Sequence, residues 1–139
     1  MKAKISLILS LIALTLFLSA GPAFAASKWI YVGTLTLASG DSRVDYVDVE
    51  NVFKNEENKG VVFWVMSEMK SSRSTNTLRK LTKYLTRAND SATKTLEWHV
   101  YDQDKGEFMR SLEPAKNWDY PEDFSLLAEA IDIAWNNAK

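Results

Sequence analysis

The stretch Val61-Val62-Phe63-Trp64-Val65-Met66 decides the fold, because it is the most apolar run after the first 25 residues. Short runs of β-branched and aromatic residues between polar segments are typical of strands inside a sheet. A charged segment ending in Gly60 precedes this run, and a serine-rich segment, residues 71–76, comes after it. We therefore predict a central strand over residues 61–66.

Two strands are predicted before the central one. Residues 29–37 alternate strictly, with tryptophan, tyrosine, glycine and leucines on one side and isoleucine, valine and threonines on the other. Alternation of period two with this composition indicates a strand. The turn cluster Ala-Ser-Gly-Asp-Ser at residues 38–42 and a second strand over residues 44–49 follow. We expect these two strands to form a hairpin.

Three further strands are predicted after the central one. Residues 78–86 fit both a helical and a strand period, but their threonines and Tyr84 favour a strand. Residues 95–101 alternate again, a turn over residues 102–106 ends in glycine, and residues 107–112 follow it. This pattern predicts a hairpin, which brings the strand count to about six.

The apolar spacing becomes helical near the C-terminus. One helix face carries Phe124, Leu127, Ala128, Ile131, Ala134 and Trp135. Asp119 is a capping candidate, and Pro121-Glu122-Asp123 suits a first turn. Short connections favour antiparallel strands, and the helix can bury its apolar face only against the sheet. The prediction is an α+β fold: a single antiparallel sheet of about six strands with a C-terminal helix packed on one face.

The N-terminus predicts export. Lys2 and Lys4 precede an almost unbroken apolar stretch, residues 5–20, and Ala23-Phe24-Ala25 is a small-x-small cleavage site. Residues 1–25 therefore form a predicted signal peptide, and residues 26–139 are expected to be a single periplasmic, secreted or surface-associated domain. Residue 26 is alanine, so no lipoprotein is expected, and no later segment is apolar enough to predict an integral membrane span.

Composition narrows the function further. The chain has no cysteine, which excludes disulfides, thiolate catalysis and cysteine-ligated metals. Its formal net charge is −1 and becomes more negative once the two signal-peptide lysines are removed. Mixed charges without a basic excess argue against nucleic acid and anionic lipid as partners. We predict no cofactor.

No residue pattern predicts catalysis or a metal site. His99, the only histidine, falls on the strand face opposite Trp98 and Val100, and we expect it to be half-exposed and dispensable. Asp102, Asp104 and Glu107 resemble a calcium loop only faintly and are better explained as a turn. Asp45 and Asp48 should point to opposite sides of their strand. The protein is therefore predicted not to be an enzyme.

Aromatic residues are the remaining candidates for binding. Most of them must fill the core of a small domain without disulfides. Trp118 and Tyr120, in the loop before the helix, and Tyr101 could contact a partner, since tryptophan and tyrosine are common in binding hot spots. Trp118 and Tyr120 could equally hold their loop against the sheet.

Several short signatures resemble the surface-adhesin protein E-like domains of exported bacterial proteins. These are Trp29-Ile30-Tyr31-Val32-Gly33, Tyr46-Val47-Asp48, Val62-Phe63-Trp64-Val65, Tyr101-Asp102 to Gly106, and Trp118 with Pro121 before a closing helix. The resemblance implies a sheet with a docked C-terminal helix, no enzyme activity and binding of a protein partner.

This chain departs from that family in two ways. It lacks the cysteines that tie the helix to the sheet in many members, so docking should depend on Phe124, Leu127, Ile131 and Trp135. It also lacks a lipid-anchor cysteine, which weakens the expectation of surface display. The leading hypothesis is an exported, non-enzymatic domain that contacts a protein through a sheet face or edge. The alternative is a periplasmic protein that binds a small apolar ligand.

Overall fold

The computed structural model describes residues 27–139, and the predicted signal peptide lies outside this range. The described chain forms an open antiparallel sheet of seven strands with a C-terminal helix packed on one face. The elements are β1 Trp29–Thr36, β2 Ser42–Asp48, β3 Phe53–Asn55, β4 Gly60–Lys70, β5 Thr77–Arg87, β6 Thr93–Asp102, β7 Gly106–Ser111 and α1 Leu126–Asn136. Nothing among these residues makes a helix of the length and apolarity that a membrane crossing requires.

The sheet is built around β4, as the sequence predicted. Its strand order is β1-β2-β4-β5-β6-β7, and β3 pairs with β4 outside this path. Residues 65–70 of β4 pair with β2, whereas residues 60–62 pair with β3 on the same edge. The sheet thus has one strand more than predicted, because the three residues of β3 are too few to show an alternation.

One layer of the core lies between the helix and the sheet. Val47, Phe63 and Val65 face the helix residues Ile131 and Ala134, and all of these are buried. The predicted helix and its docking on one face of the sheet are therefore confirmed. A Cβ atom on Gly33 would lie 2.6 Å from Leu126 Cδ2, which places the start of the helix directly on β1.

The predicted start of the helix is wrong. Ser125 is the N-cap, and its side-chain oxygen accepts a hydrogen bond from the backbone N–H of Ala128. Asp119 instead pairs through its backbone with Thr93, at N···O distances of 2.8 and 2.9 Å. Phe124 precedes the cap with a φ of 60° and is fully exposed, so it does not dock on the sheet. Helical spacing extrapolated backwards cannot show where the first turn begins, because the cap residue lies outside the repeating helical geometry.

Candidate binding groove

A row of directly paired residues crosses the sheet from β1 to β6. Leu35 pairs with Arg43, Arg43 with Met69, Met69 with Leu78, and Leu78 with Asp102. Side chains alternate along a strand, so Arg43 lies on the same face as Val47, which packs under the helix. The row therefore lies on the helix-bearing face, beyond the end that the helix covers.

This uncovered end forms a groove of about 530 Å³. Leu35, Leu37, Met69 and Leu78 provide its apolar surface, and residues of the 71–76 connection form its rim. Leu35 and Leu37 remain 45% and 55% exposed, which is unusual for leucines in a small domain. Sites for small molecules commonly have volumes of roughly 300–1,000 Å³, so the groove is large enough to hold one.

Two loops are joined at one end of the groove. The backbone N–H of Ser72 donates to Asp41 Oδ1 at 2.8 Å, and the Ser72 hydroxyl donates to the backbone oxygen of Ser39 at 2.8 Å. These bonds connect the β1–β2 turn to the β4–β5 connection across 31 and 33 residues of sequence. The Ser72 backbone N–H, followed by its hydroxyl and that of Ser39, lowers the pKa of Asp41 below its usual value.

Arg43 is the central polar residue of the groove. Its Nε lies 3.1 Å from Asp45 Oδ1, and the Asp45 side chain is only 5% exposed. Neither atom has an aligned hydrogen-bond partner, so the contact is an ion pair alone. Burial raises the pKa of the neighbouring Tyr84, and the negative charge of Asp45 adds to this rise. Within residues 27–139, no hydrogen bond or ion pair engages the terminal nitrogens of Arg43.

The other charged groups of the groove differ in their hydrogen-bond and ion-pair partners. Asp41 accepts the hydrogen bonds from Ser72, and Asp102 Oδ1 accepts from the backbone N–H groups of Asp104 and Lys105. Lys70 lines the groove without an ion pair to any described residue. Arg43 and Lys70 thus contribute hydrogen-bond donors to the groove that no described residue engages.

The aromatic residues predicted to bind a partner lie elsewhere and in two separate places. Trp118 is partly buried, with Arg87 Cζ 4.3 Å and Lys94 Nζ 4.9 Å from its ring centroid. Tyr120 is 67% exposed, with its hydroxyl 3.4 Å from Asp90. Arg87 also donates to both carboxylate oxygens of Asp90 and thereby lowers the pKa of that group. These contacts attach the Trp118 loop to β5 and β6, while contact of Trp118, Tyr120 or Tyr101 with a partner stays a prediction.

Tyr101 belongs to a second cluster, centred on His99. His99 is 6% exposed, so the prediction that it is half-exposed is wrong. Its Nδ1 lies 2.5 Å from Glu107 Oε1 and its Nε2 lies 3.3 Å from Glu97 Oε1. The rings of Trp64 and Tyr101 lie 6.2 and 6.3 Å away. The strand phase of His99 was predicted correctly, but Trp64 and Glu107 come from other strands and the sequence did not indicate their proximity.

The carboxylates of the predicted turn have structural partners. Asp102 binds the turn backbone and Glu107 contacts His99, so these two point to different neighbours. Asp48 is buried and accepts hydrogen bonds from Lys28 N, Glu50 N and Asn51 Nδ2. In the described part of the chain, no group of three potential ligands is arranged to hold a metal ion.

The groove was not predicted from the sequence, because the predicted strand over residues 61–66 ended before Met69. A helix of 11 residues is about 16 Å long, whereas a strand of 11 residues such as β4 spans about 36 Å. The helix therefore cannot cover the whole length of its face. Met69 continues the alternation of Phe63 and Val65, so its side chain lies on the same face, beyond the part that the helix covers.

Comparisons of the chain with protein-family models, with curated proteins and with solved structures found no match. The resemblance to surface-adhesin protein E-like domains therefore stays a prediction.

Proposed function

We propose that this protein is a binding domain that holds the apolar part of a small ligand in the groove. The single observation that carries the proposal is the row from Leu35 to Leu78, which lines a groove that the helix leaves uncovered. Transfer of apolar surface out of water is favourable by roughly 25 cal/mol per Å². A ligand that covers these side chains would gain this free energy.

The ordered floor and rim of the groove fit a ligand-binding site better than an incidentally exposed apolar surface. Its floor is provided by adjacent hydrogen-bonded strands, and the Ser72 contacts with Ser39 and Asp41 hold the rim. A site that is ordered before binding loses little conformational entropy when the ligand arrives. The only histidine of the chain, His99, lies outside the groove, in the cluster with Glu97 and Glu107. The groove residues therefore fit binding better than acid–base catalysis.

The proposal can be tested with N-phenyl-1-naphthylamine, a neutral probe that fluoresces in apolar surroundings. Residues 26–139 should enhance its emission, and Leu35→Asp or Leu37→Asp should abolish the enhancement without changing the thermal melt. Met109→Asp is the matched control, because Met109 is equally exposed but lies outside the groove. Loss of emission in Met109→Asp with retention in both leucine variants would contradict the proposal.

A second candidate function is binding of a protein through the edge strand β7. Phe108 and Met109 are exposed on this strand and Leu112 directly after it, and no strand among the described residues pairs with the outer edge of β7. Such an edge can accept an extended segment of a partner as an additional strand. A photo-crosslinking residue at position 108 should then form a defined protein adduct in cells, and Met109→Lys should abolish it. Equal adduct formation from position 37 would contradict edge-specific binding.

A further inference from the structure

We propose that the ligand of the groove is an amphipathic carboxylate, such as a medium-chain fatty acid. Its hydrocarbon chain would lie on Met69 and Leu78, and its carboxylate would bind Arg43. This inference rests on the proposed function of the groove and specifies the chemistry of its ligand.

The first support is the free hydrogen-bonding capacity of Arg43. A guanidinium carries five N–H donors, and here only Nε faces a charged partner, Asp45. The donors on the two terminal nitrogens have no partner among residues 27–139, although Arg43 lines the groove. A carboxylate matches such a pair of donors in a planar, bidentate arrangement, which is stronger than a bond to a neutral oxygen.

The second support is the position of the charges. The ion pair with Asp45 offsets the charge of Arg43 locally, and the groove lining also contains Lys70 and Asp41, which carry opposite charges. Asp102 lies three strand spacings from Arg43, which is about 14 Å and exceeds the screening length of about 8 Å in physiological salt. The formal charges of the groove lining near Arg43 therefore sum to zero, and the terminal nitrogens of Arg43 remain available as donors.

The third support is the sequence of surfaces along the row. Arg43 lies on β2 and is followed by Met69 on β4 and Leu78 on β5, all on one face. A ligand with its carboxylate at Arg43 would extend its chain over the two apolar side chains. Asp45 acts as a positioning residue, because its buried carboxylate holds the guanidinium at the surface of the sheet.

The test compares decanoate, decanol and decyltrimethylammonium at pH 7 by calorimetry and by backbone amide shifts. We expect decanoate to bind about tenfold more tightly than decanol, with shifts at Met69 and Leu78. Arg43→Gln should reduce decanoate affinity to that of decanol. Arg73→Gln is the matched control, because Arg73 is an exposed arginine in the adjacent connection and does not line the groove.

Arg43→Gln also removes the counter-charge of a buried acid, so the double variant Arg43→Gln/Asp45→Asn provides a neutral pair if the single variant unfolds. It should show the same loss of preference for decanoate. Equal affinity for decanoate and decanol in the unsubstituted protein, or a preference for the ammonium compound, would overturn the carboxylate and leave the groove as an apolar site. Absence of shifts at Met69 and Leu78 with all three compounds would overturn the proposed function itself.

Discussion

At the residue scale, His99 shows how a polar side chain becomes structural when neighbouring strands enclose it. Both of its ring nitrogens contact carboxylates, from Glu97 on its own strand and from Glu107 on β7. The two acids have further partners, with Lys83 Nζ 3.8 Å from Glu97 and Arg110 Nη1 3.9 Å from Glu107. The imidazole therefore connects two surface ion pairs across β6 and β7.

We expect His99→Gln to lower the free energy of unfolding by about 1–3 kcal/mol, because glutamine cannot contact both carboxylates and would leave one without its partner. Urea unfolding measures this change. Gln103→Ala in the exposed turn after β6 is the control and should stay within about 0.5 kcal/mol. A similarly small effect of His99→Gln would restore the dispensable role that the sequence predicted.

Asp41 provides a prediction on pH. Its pKa in the folded protein is lowered, chiefly by the backbone N–H of Ser72, so its ionised form stabilises the fold. That contribution is complete above the unfolded pKa of about 3.9 and is lost as the pH falls through the lower folded pKa. Unfolding measured from pH 5 to pH 2 should thus depend less on pH in Asp41→Asn than in the parent.

The same residue can be followed directly by carbon NMR of its carboxyl group. In Ser72→Ala the pKa of Asp41 should stay below its ordinary value but lie above that of the parent, because the backbone N–H, the largest contributor, is kept and the hydroxyl, the second, is lost. A titration midpoint of Asp41 at or above its ordinary value of 3.8 would show that the two loops are not joined in solution.

At the element scale, the start of the helix distinguishes two capping candidates. Ser125→Ala should cost about 0.5–2 kcal/mol, because it removes the oxygen that accepts the Ala128 N–H. Asp119→Asn should change stability by less than about 0.5 kcal/mol, since Asp119 pairs with Thr93 through its backbone. Urea unfolding of the two variants side by side measures the difference. A larger cost for Asp119→Asn would place the cap where the sequence predicted it.

At the scale of the whole molecule, the helix provides one layer of a two-layer domain. Leu127, Ile131 and Trp135 pack on the core around Phe63, and each such side chain contributes about 1.5–3 kcal/mol when buried. Domains have net stabilities of about 5–15 kcal/mol, so truncation after Pro121 should leave an insoluble or molten chain. Near-UV circular dichroism and urea unfolding measure this. Phe124→Ala, in the same segment but fully exposed, should melt like the parent.

A truncated chain that kept a cooperative melt would mean that the sheet does not need the helix. That outcome would also change the interpretation of the groove, because the whole helix-bearing face would then tolerate exposure. Removal of β7 would not give an equivalent test, since most of its residues are already exposed.

The elements themselves could be predicted from the sequence, because alternation and helical spacing are local properties of the chain. All six predicted strands, the hairpin of β1 and β2 and the C-terminal helix are present. Short connections made the antiparallel arrangement predictable as well. β3 escaped prediction because three residues carry no period.

Only the tertiary structure decided the groove and the histidine cluster. The groove requires the register of successive strand pairs, which sets Leu35, Arg43, Met69 and Leu78 in one row, and a helix that ends short of it. His99 became buried because β4 and β7 bring Trp64 and Glu107 to it. Pairing between distant segments depends on the packing of the whole sheet, and local sequence patterns contain no record of it.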